Sequence, residues 1–183
     1  MIGRHTFKER VIKFTLLFSL TILFSVNNLL AEENNSLTEE RLFHIARSKN
    51  KNLVCYDINH PGGKLDTKNP INIYWLNMED KPGRTSNLSI IEKKLAYGYK
   101  LISQHDDTCE IMLNAYPGKI LTIRKENSKY VCFITINNHP AILKSLYVKA
   151  KPTNSLSVEY VELQGITADT QQPISERVKN TKE

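Results

Sequence analysis

The sequence predicts an all-β protein: an antiparallel β-sandwich of about eight strands with one short α-helix. Apolar and β-branched residues recur with a period of two from residue 41 onward, which is typical of half-buried strands. Turn-forming Gly, Pro and Asn residues interrupt these runs at intervals of roughly 8–12 residues, the spacing of sandwiches and barrels. A β-barrel is the alternative, because a strand pattern does not show whether a sheet closes.

A basic stretch and an uncharged apolar run open the sequence. Four basic residues precede Phe14–Val26, which carries no charge, and Ala31 offers a small residue for cleavage. The run is shorter than the ~20 residues that span a membrane. We therefore predict a helical signal peptide over residues 1–31.

The same pattern has an alternative interpretation as an uncleaved anchor from Ile12 to Leu30, because Leu29 fits the cleavage pattern poorly. No cysteine lies near the end of the apolar run, so a lipoprotein is not predicted. We expect an exported protein of the periplasm or cell envelope, which meets a membrane only through this segment, and only if the segment is not cleaved.

Four parts follow from this division of the chain: the signal peptide (1–31), a polar linker (32–40), one β-rich domain (41–165) and a C-terminal tail (166–183). The segment 99–104 can also adopt an extended conformation. The predicted strands are 43–47, 53–58, 71–76, 109–116, 119–125, 130–137, 141–151 and 156–164.

Residues Ser89–Ala96 form the predicted helix. Leu88, Ile91 and Leu95 recur at helical spacing, so we expect them on one side of the helix. Ser89 and Glu92 stand in capping-box spacing, Asn87 is the alternative cap, and Gly98 ends the pattern.

Charge and cysteine content narrow the function classes. The net charge of +6 is modest, and the N-terminal segment contributes half of it, so nucleic acid is not a predicted partner. Cys55, Cys109 and Cys132 allow at most one internal disulfide, and the sequence does not choose among three pairings and three free thiols.

Four blocks carry a family resemblance: LFHIARSKNKNLVCYD (42–57), LDTKNPINIYW (65–75), KKLAYGYK (93–100) and YVKAKPTNSLSVEYVELQG (147–165). In this order and with short gaps, they resemble a bacterial family of unknown function catalogued as number 4833. The resemblance implies an origin in Bacteroidetes and an export signal. It implies no activity, cofactor or catalytic residue.

The motifs of the common enzyme classes are missing from the sequence. The histidines lack zinc-site spacing, no serine stands in Gly-x-Ser-x-Gly, and no glycine-rich loop has phosphate-binding spacing. We predict no catalytic residue, metal or cofactor. An envelope enzyme such as a glycan hydrolase is the alternative, because paired carboxylates are a property of three-dimensional geometry. Its candidate carboxylates are Asp57, Asp66, Glu159 and Glu162.

Aromatic residues with polar neighbours provide the predicted ligand site: Tyr74, Lys94, Tyr97 and Tyr99. Tyrosine rings offer stacking area to sugars and other amphipathic ligands, and a lysine adds a charged donor. The alternative is that these rings bridge core and surface, with Trp75 buried beside Ile71 and Ile73. We predict a non-enzymatic binding or interaction module, whose partner is an envelope glycan or another envelope protein.

Overall fold

The structure, a computed structural model, describes residues 41–179; the predicted signal peptide and linker lie outside this range. Within the range there are eleven strands, one short helical segment and a 3₁₀ turn at Pro61–Gly63. The helical segment consists of α1 (Ile90–Glu92) and a π-helical turn (Lys93–Tyr97). The strands are β1 (Arg41–Arg47), β2 (Asn50–Ile58), β3 (Ile71–Leu76), β4 (Thr85–Asn87), β5 (Tyr99–His105), β6 (Thr108–Leu113), β7 (Tyr116–Glu126), β8 (Lys129–Ile136), β9 (His139–Lys151), β10 (Asn154–Thr167) and β11 (Pro173–Lys179).

The described strands form one curled, open sheet, so the prediction of a mostly β protein with one short helix is confirmed. Nine strands follow the order β4-β3-β2-β1-β9-β8-β7-β6-β5, and β10 and β11 extend from β9. Sandwich and barrel both stay predictions.

Strand β9 joins the parts of this sheet. It pairs with β8 through residues 139–142 and with β1 through residues 145–148. Strand β10 pairs with β9 from residue 141 to residue 151. The β1–β9 pairing is parallel, and the other strand pairs among the described residues are antiparallel.

Alternation along the strands separates a core face from an opposite face. Phe43 and Tyr56 stack on the core face with ring centroids 4.3 Å apart, and Ile73 is the register partner of Tyr56. Trp75 lies on this face as predicted, although it is half-buried rather than fully buried. Tyr74 follows Ile73 in β3 and therefore points to the opposite face.

Side chains of β5 and β7 reach the segment that joins β2 to β3. The Tyr99 hydroxyl accepts a hydrogen bond from the backbone N–H of Ile71 at 3.3 Å. Gln104 Nε2 donates to the Asp66 carbonyl at 3.2 Å, and Lys125 Nζ donates to the Gly63 carbonyl at 3.1 Å. These three bonds connect strands β5 and β7, toward one end of the strand order, to the β2–β3 region near the other end.

The structure contains two strands that the sequence pattern did not predict. Strand β4 is short and exposed, and β11 lies in the segment predicted as a tail. Strand β11 pairs with β10 from Tyr160–Lys179 to Ile166–Pro173. Its half-buried side carries Ile174 and Val178 with Glu176 between them, and its exposed side carries Ser175 and Arg177, so the apolar pattern of β11 is weak.

The helical segment has the predicted cap, but most of its apolar side chains are exposed to solvent. Ser89 caps it, and Glu92 completes the capping box. Leu88 is buried, whereas Ile91 and Leu95 are 69% and 71% exposed, so the expectation that these three lie on one side is wrong. Glu92 occupies the inward side instead, because its carboxylate accepts a hydrogen bond from Trp75 Nε1 at 3.2 Å.

The three cysteines are free thiols and are buried. Cys109 and Cys132 are both register partners of Ile123, one from each flanking strand. Two interstrand spacings of about 4.8 Å separate them, which exceeds the ~4.4–6.8 Å that a disulfide requires between Cα atoms. Among the residues described, no helix has the length and apolar character needed to cross a membrane.

Candidate functional site

The four predicted ligand-binding residues do not share one surface. The Tyr97 ring packs edge-on against Trp75, with centroids 5.3 Å apart, on the core face of β3. Tyr74 is the neighbour of Trp75 in β3 and therefore lies on the opposite face. Tyr99 is turned toward Ile71, and Lys94 is exposed on the helical segment.

Tyr97 holds the helical segment against the sheet. It is buried, its hydroxyl accepts a hydrogen bond from Arg47 Nη1 at 3.0 Å, and its backbone carbonyl accepts one from the Tyr56 hydroxyl at 2.6 Å. A ring in this position has no face left for a ligand, so Tyr97 is part of the core.

Tyr74 belongs to a polar cluster on the opposite face. Its hydroxyl donates to Asp57 Oδ2 at 2.6 Å and accepts from Arg41 Nη2 at 2.9 Å, while Arg41 Nε pairs with Asp57 Oδ1. Burial and the hydrogen bond to Asp57 raise the pKa of Tyr74 to about 12. Both oxygens of Asp57, one of the four carboxylates named from the sequence, are thus engaged by Tyr74 and Arg41.

A groove of about 360 Å³ lies on this same face, across strands β1, β9, β10 and β11. Strand register explains why its residues meet: Ser145 is the partner of His44 on one side and of Gln164 on the other. Tyr147 is likewise the partner of Ala46 and Glu162, and Arg177 is the partner of Glu162. We call it the Tyr147 groove, and its lining is His44, Ala46, Ser145, Leu146, Tyr147, Tyr160, Glu162, Gln164 and Arg177.

A chain of hydrogen bonds crosses the Tyr147 groove. The Ser145 hydroxyl donates to Gln164 Oε1 at 2.9 Å, and Gln164 Nε2 donates to Glu162 Oε1 at 2.9 Å. Arg177 donates to Glu162 Oε2 through Nε at 3.0 Å and Nη2 at 2.7 Å. These bonds fix the orientation of each polar group before a ligand arrives.

Two tyrosines supply the apolar part of the groove. The rings of Tyr147 and Tyr160 lie with centroids 6.4 Å apart, and the Arg177 guanidinium sits 4.2 Å above the Tyr160 ring. Arg177 therefore holds both Glu162 and Tyr160 in place. Its side chain is still 56% exposed, so it is accessible to a ligand.

At neutral pH, Glu162 of the groove is charged and His44 is uncharged, because the pKa of each is lowered. Hydrogen bonds from Arg177 and then Gln164 lower the pKa of Glu162, so this carboxylate stays ionised and acts only as an acceptor. Burial, reinforced by the charge of Arg41, lowers the pKa of His44. At neutral pH, His44 is therefore uncharged and has one donor and one acceptor nitrogen.

Asp66, another carboxylate named from the sequence, stabilises a turn. It accepts hydrogen bonds from the backbone N–H groups of Lys68 and Asn69 at 2.9 Å and 2.6 Å. A further aspartate, Asp107, accepts bonds from Lys125 and Tyr130. In the range 41–179, no group of three His, Cys, Asp or Glu residues is arranged to hold a metal ion.

The sequence pattern did not identify the Tyr147 groove. One signal was present: Tyr160, Glu162 and Gln164 alternate with apolar residues and therefore share one face of a strand. The other half of the groove depends on the pairing of β1 with β9, which joins segments about a hundred residues apart. A periodicity within one segment carries no information on such a pairing.

Comparisons with known proteins give a family and no activity. Neither the curated proteins nor the solved structures contain a significant match. A family model matches residues 43–177, which includes every residue of the Tyr147 groove. This match confirms the family number that the four sequence blocks predicted. The chain belongs to the family described as Domain of unknown function (DUF4833).

Proposed function

We propose that this protein is a non-enzymatic binding module of a Bacteroidetes cell envelope, and that it binds a glycan-containing ligand in the Tyr147 groove. The observation that carries the proposal is the hydrogen-bonded chain from Ser145 to Arg177 beside two tyrosine rings. Sugars present both hydroxyl groups and apolar C–H faces, and this groove offers a partner to each.

The shape of the groove supports binding of a small ligand or of one unit of a longer one. Its volume of about 360 Å³ lies at the lower end of the ~300–1,000 Å³ of ligand pockets. The groove lies across neighbouring strands of the sheet, which hold its side chains more rigidly than loops would. A chain-like ligand can extend beyond such a groove along the face of the sheet.

The charge pattern supports binding rather than hydrolysis. Glycoside hydrolysis requires two carboxyl groups, one of which donates a proton. The described lining of the groove contains one carboxylate, Glu162, and Arg177 and Gln164 occupy both of its oxygens. With a lowered pKa, Glu162 is a poor proton donor at neutral pH.

Export is supported by the sequence of residues 1–31 alone, which has the order of charge and apolar character of a signal peptide. N-terminal sequencing of the protein from an envelope fraction tests this part. We expect the mature chain to begin at Glu32. An intact Met1 in washed membranes would instead indicate the anchor from Ile12 to Leu30.

Binding is tested with the exported protein in a screen of envelope glycans and peptidoglycan fragments. We expect that Arg177→Ala and Tyr147→Ala each weaken a hit by about tenfold or more, because each removes a preorganised contact. The matched controls are Arg124→Ala and Phe133→Ala, since Arg124 lies 4.2 Å above the Phe133 ring elsewhere on the sheet.

Equal losses in the groove variants and the control pair would contradict a site at the Tyr147 groove. Turnover of a glycan that Glu162→Gln abolishes would establish an enzyme and reject the binding module.

A further inference from the structure

The helical segment of residues 90–97 presents its apolar side chains to solvent. Ile90 is 84% exposed, Ile91 69% and Leu95 71%. Large aliphatic side chains in such a short stretch are seldom left in water unless they meet a partner. The sheet does not cover them, because the inward positions of the segment belong to Glu92 and Ala96.

The positions of these residues define two sides of the segment. Ile91 and Leu95 are four residues apart, as are Ile90 and Lys94, so they form one outward side. Glu92 and Ala96 have the same spacing and are half-buried against the sheet. The orientation is therefore fixed by the fold.

The charge of the outward side is positive. Lys93 and Lys94 are exposed, and Glu92 is the acidic residue of the segment. Both Glu92 oxygens are engaged: Oε1 accepts from Trp75 Nε1, and Oε2 accepts from the Ser89 N–H and hydroxyl. These bonds hold the acid close to the protein and leave two lysines beside three aliphatic side chains.

We propose that the segment 90–97 is a membrane-docking element that inserts Ile90, Ile91 and Leu95 among the acyl chains of an anionic bilayer, with Lys93 and Lys94 at the phosphate groups. The charge complementarity favours lipid over protein, since negative headgroups attract lysines next to an inserted apolar side. The small number of exposed apolar side chains also favours lipid over protein, because three are far fewer than the ~20–30 residues that each partner contributes to a stable protein interface. The segment 90–97 shares no residue with the Tyr147 groove, which lies on β1, β9, β10 and β11, so the two proposals are independent.

The test measures binding of the exported protein to vesicles of phosphatidylcholine alone and of phosphatidylcholine with phosphatidylglycerol in equal parts. We expect preferential binding to the anionic vesicles. Ile91→Ser/Leu95→Ser should weaken it by about tenfold or more, because two inserted aliphatic side chains are lost. Lys93→Gln/Lys94→Gln should weaken it by about fivefold per lysine at low salt.

The matched control is Ile120→Ser, which removes a 52% exposed aliphatic side chain from β7. Its vesicle binding should equal that of the wild type. Thermal unfolding should be unchanged in the serine variants, because the replaced side chains are exposed. Equal vesicle binding by Ile91→Ser/Leu95→Ser and the wild type would overturn the proposal.

A second measurement separates insertion of this segment from attachment through the N-terminus. Leu95→Cys is labelled with a polarity-sensitive fluorophore, while the three native thiols are buried in the folded protein. The emission should shift to shorter wavelength on anionic vesicles, and a label at Ile120→Cys should not shift. No shift at position 95, or concentration-dependent dimerisation that Ile91→Ser/Leu95→Ser abolishes without lipid, would reject membrane docking.

Discussion

The Tyr56 hydroxyl donates a hydrogen bond of 2.6 Å to the backbone carbonyl of Tyr97, which ties strand β2 to the end of the helical segment. The Tyr56 ring is fully buried and stacks on Phe43. Burial raises the pKa of Tyr56, so its hydroxyl is protonated and acts as a donor at neutral pH. One side chain thus positions a segment that lies forty-one residues further along the chain.

Tyr56→Phe should lower the free energy of unfolding by about 1–3 kcal/mol, because it leaves the Tyr97 carbonyl without its buried donor. Urea denaturation measures this change. Tyr116→Phe, at a half-buried position of β7, serves as the control and should change stability by less than about 0.5 kcal/mol. Equal effects of the two substitutions would show that the Tyr56 bond contributes nothing specific.

Gly98 and Gly165 occupy positions where another backbone passes too close for a side chain. A methyl group at Gly98 would collide with the Lys93 carbonyl oxygen, and one at Gly165 with the Ile142 carbonyl oxygen. Each alanine substitution should therefore destabilise the protein by about 1–3 kcal/mol, as overpacking does. Thermal unfolding measures the loss. Gly118→Ala meets no atom within 4 Å and should leave stability nearly unchanged.

The cysteines should remain reduced in the native protein. Cys109 and Cys132 are too far apart to pair, and burial raises the pKa of Cys55 and of Cys109 to about 11. Thiolate is the reactive form, so all three should resist an aromatic disulfide reagent until the protein is unfolded. Three thiols should then react in denaturant. A count of one would reveal a disulfide and contradict the arrangement of three free thiols.

His44 makes stability depend on pH in the mildly acidic range. Its folded pKa is lower than the ordinary value of 6.5, so the unfolded chain binds the proton more readily. The contribution to stability is present above about pH 6.5 and is lost as pH falls toward the lowered pKa. His44→Gln should therefore flatten the slope of unfolding free energy against pH below about pH 6.5. An unchanged slope would assign the dependence to other groups.

Strand alternation predicted the assignments that depend on one segment. It placed Ile71, Ile73 and Trp75 on the core face of β3, as the structure does. It did not predict β11, because the half-buried side of this strand has only Ile174 and Val178 as apolar residues, with Glu176 between them. Two apolar residues four apart are too weak a signal of period two.

The helical segment shows a different limit. Leu88, Ile91 and Leu95 have the spacing of a core-facing side, yet two of the three are exposed. The buried Tyr97 and the hydrogen bond between Glu92 and Trp75 fix the orientation, and a helix of two turns has too few side chains to overrule them. Periodicity in a short helix indicates an apolar side without saying what that side contacts.

The parallel pairing of β1 with β9 sets the order in which the domain can be completed. His44 meets Ser145, so this contact must wait until about a hundred more residues have been synthesised. Such a high contact order slows folding to the range of milliseconds to seconds. A nascent chain that ends before β9 has no partner for this edge of β1. The domain therefore reaches its final topology only after β9 and β10 have been synthesised, and an incomplete chain exposes an unpaired strand edge until then.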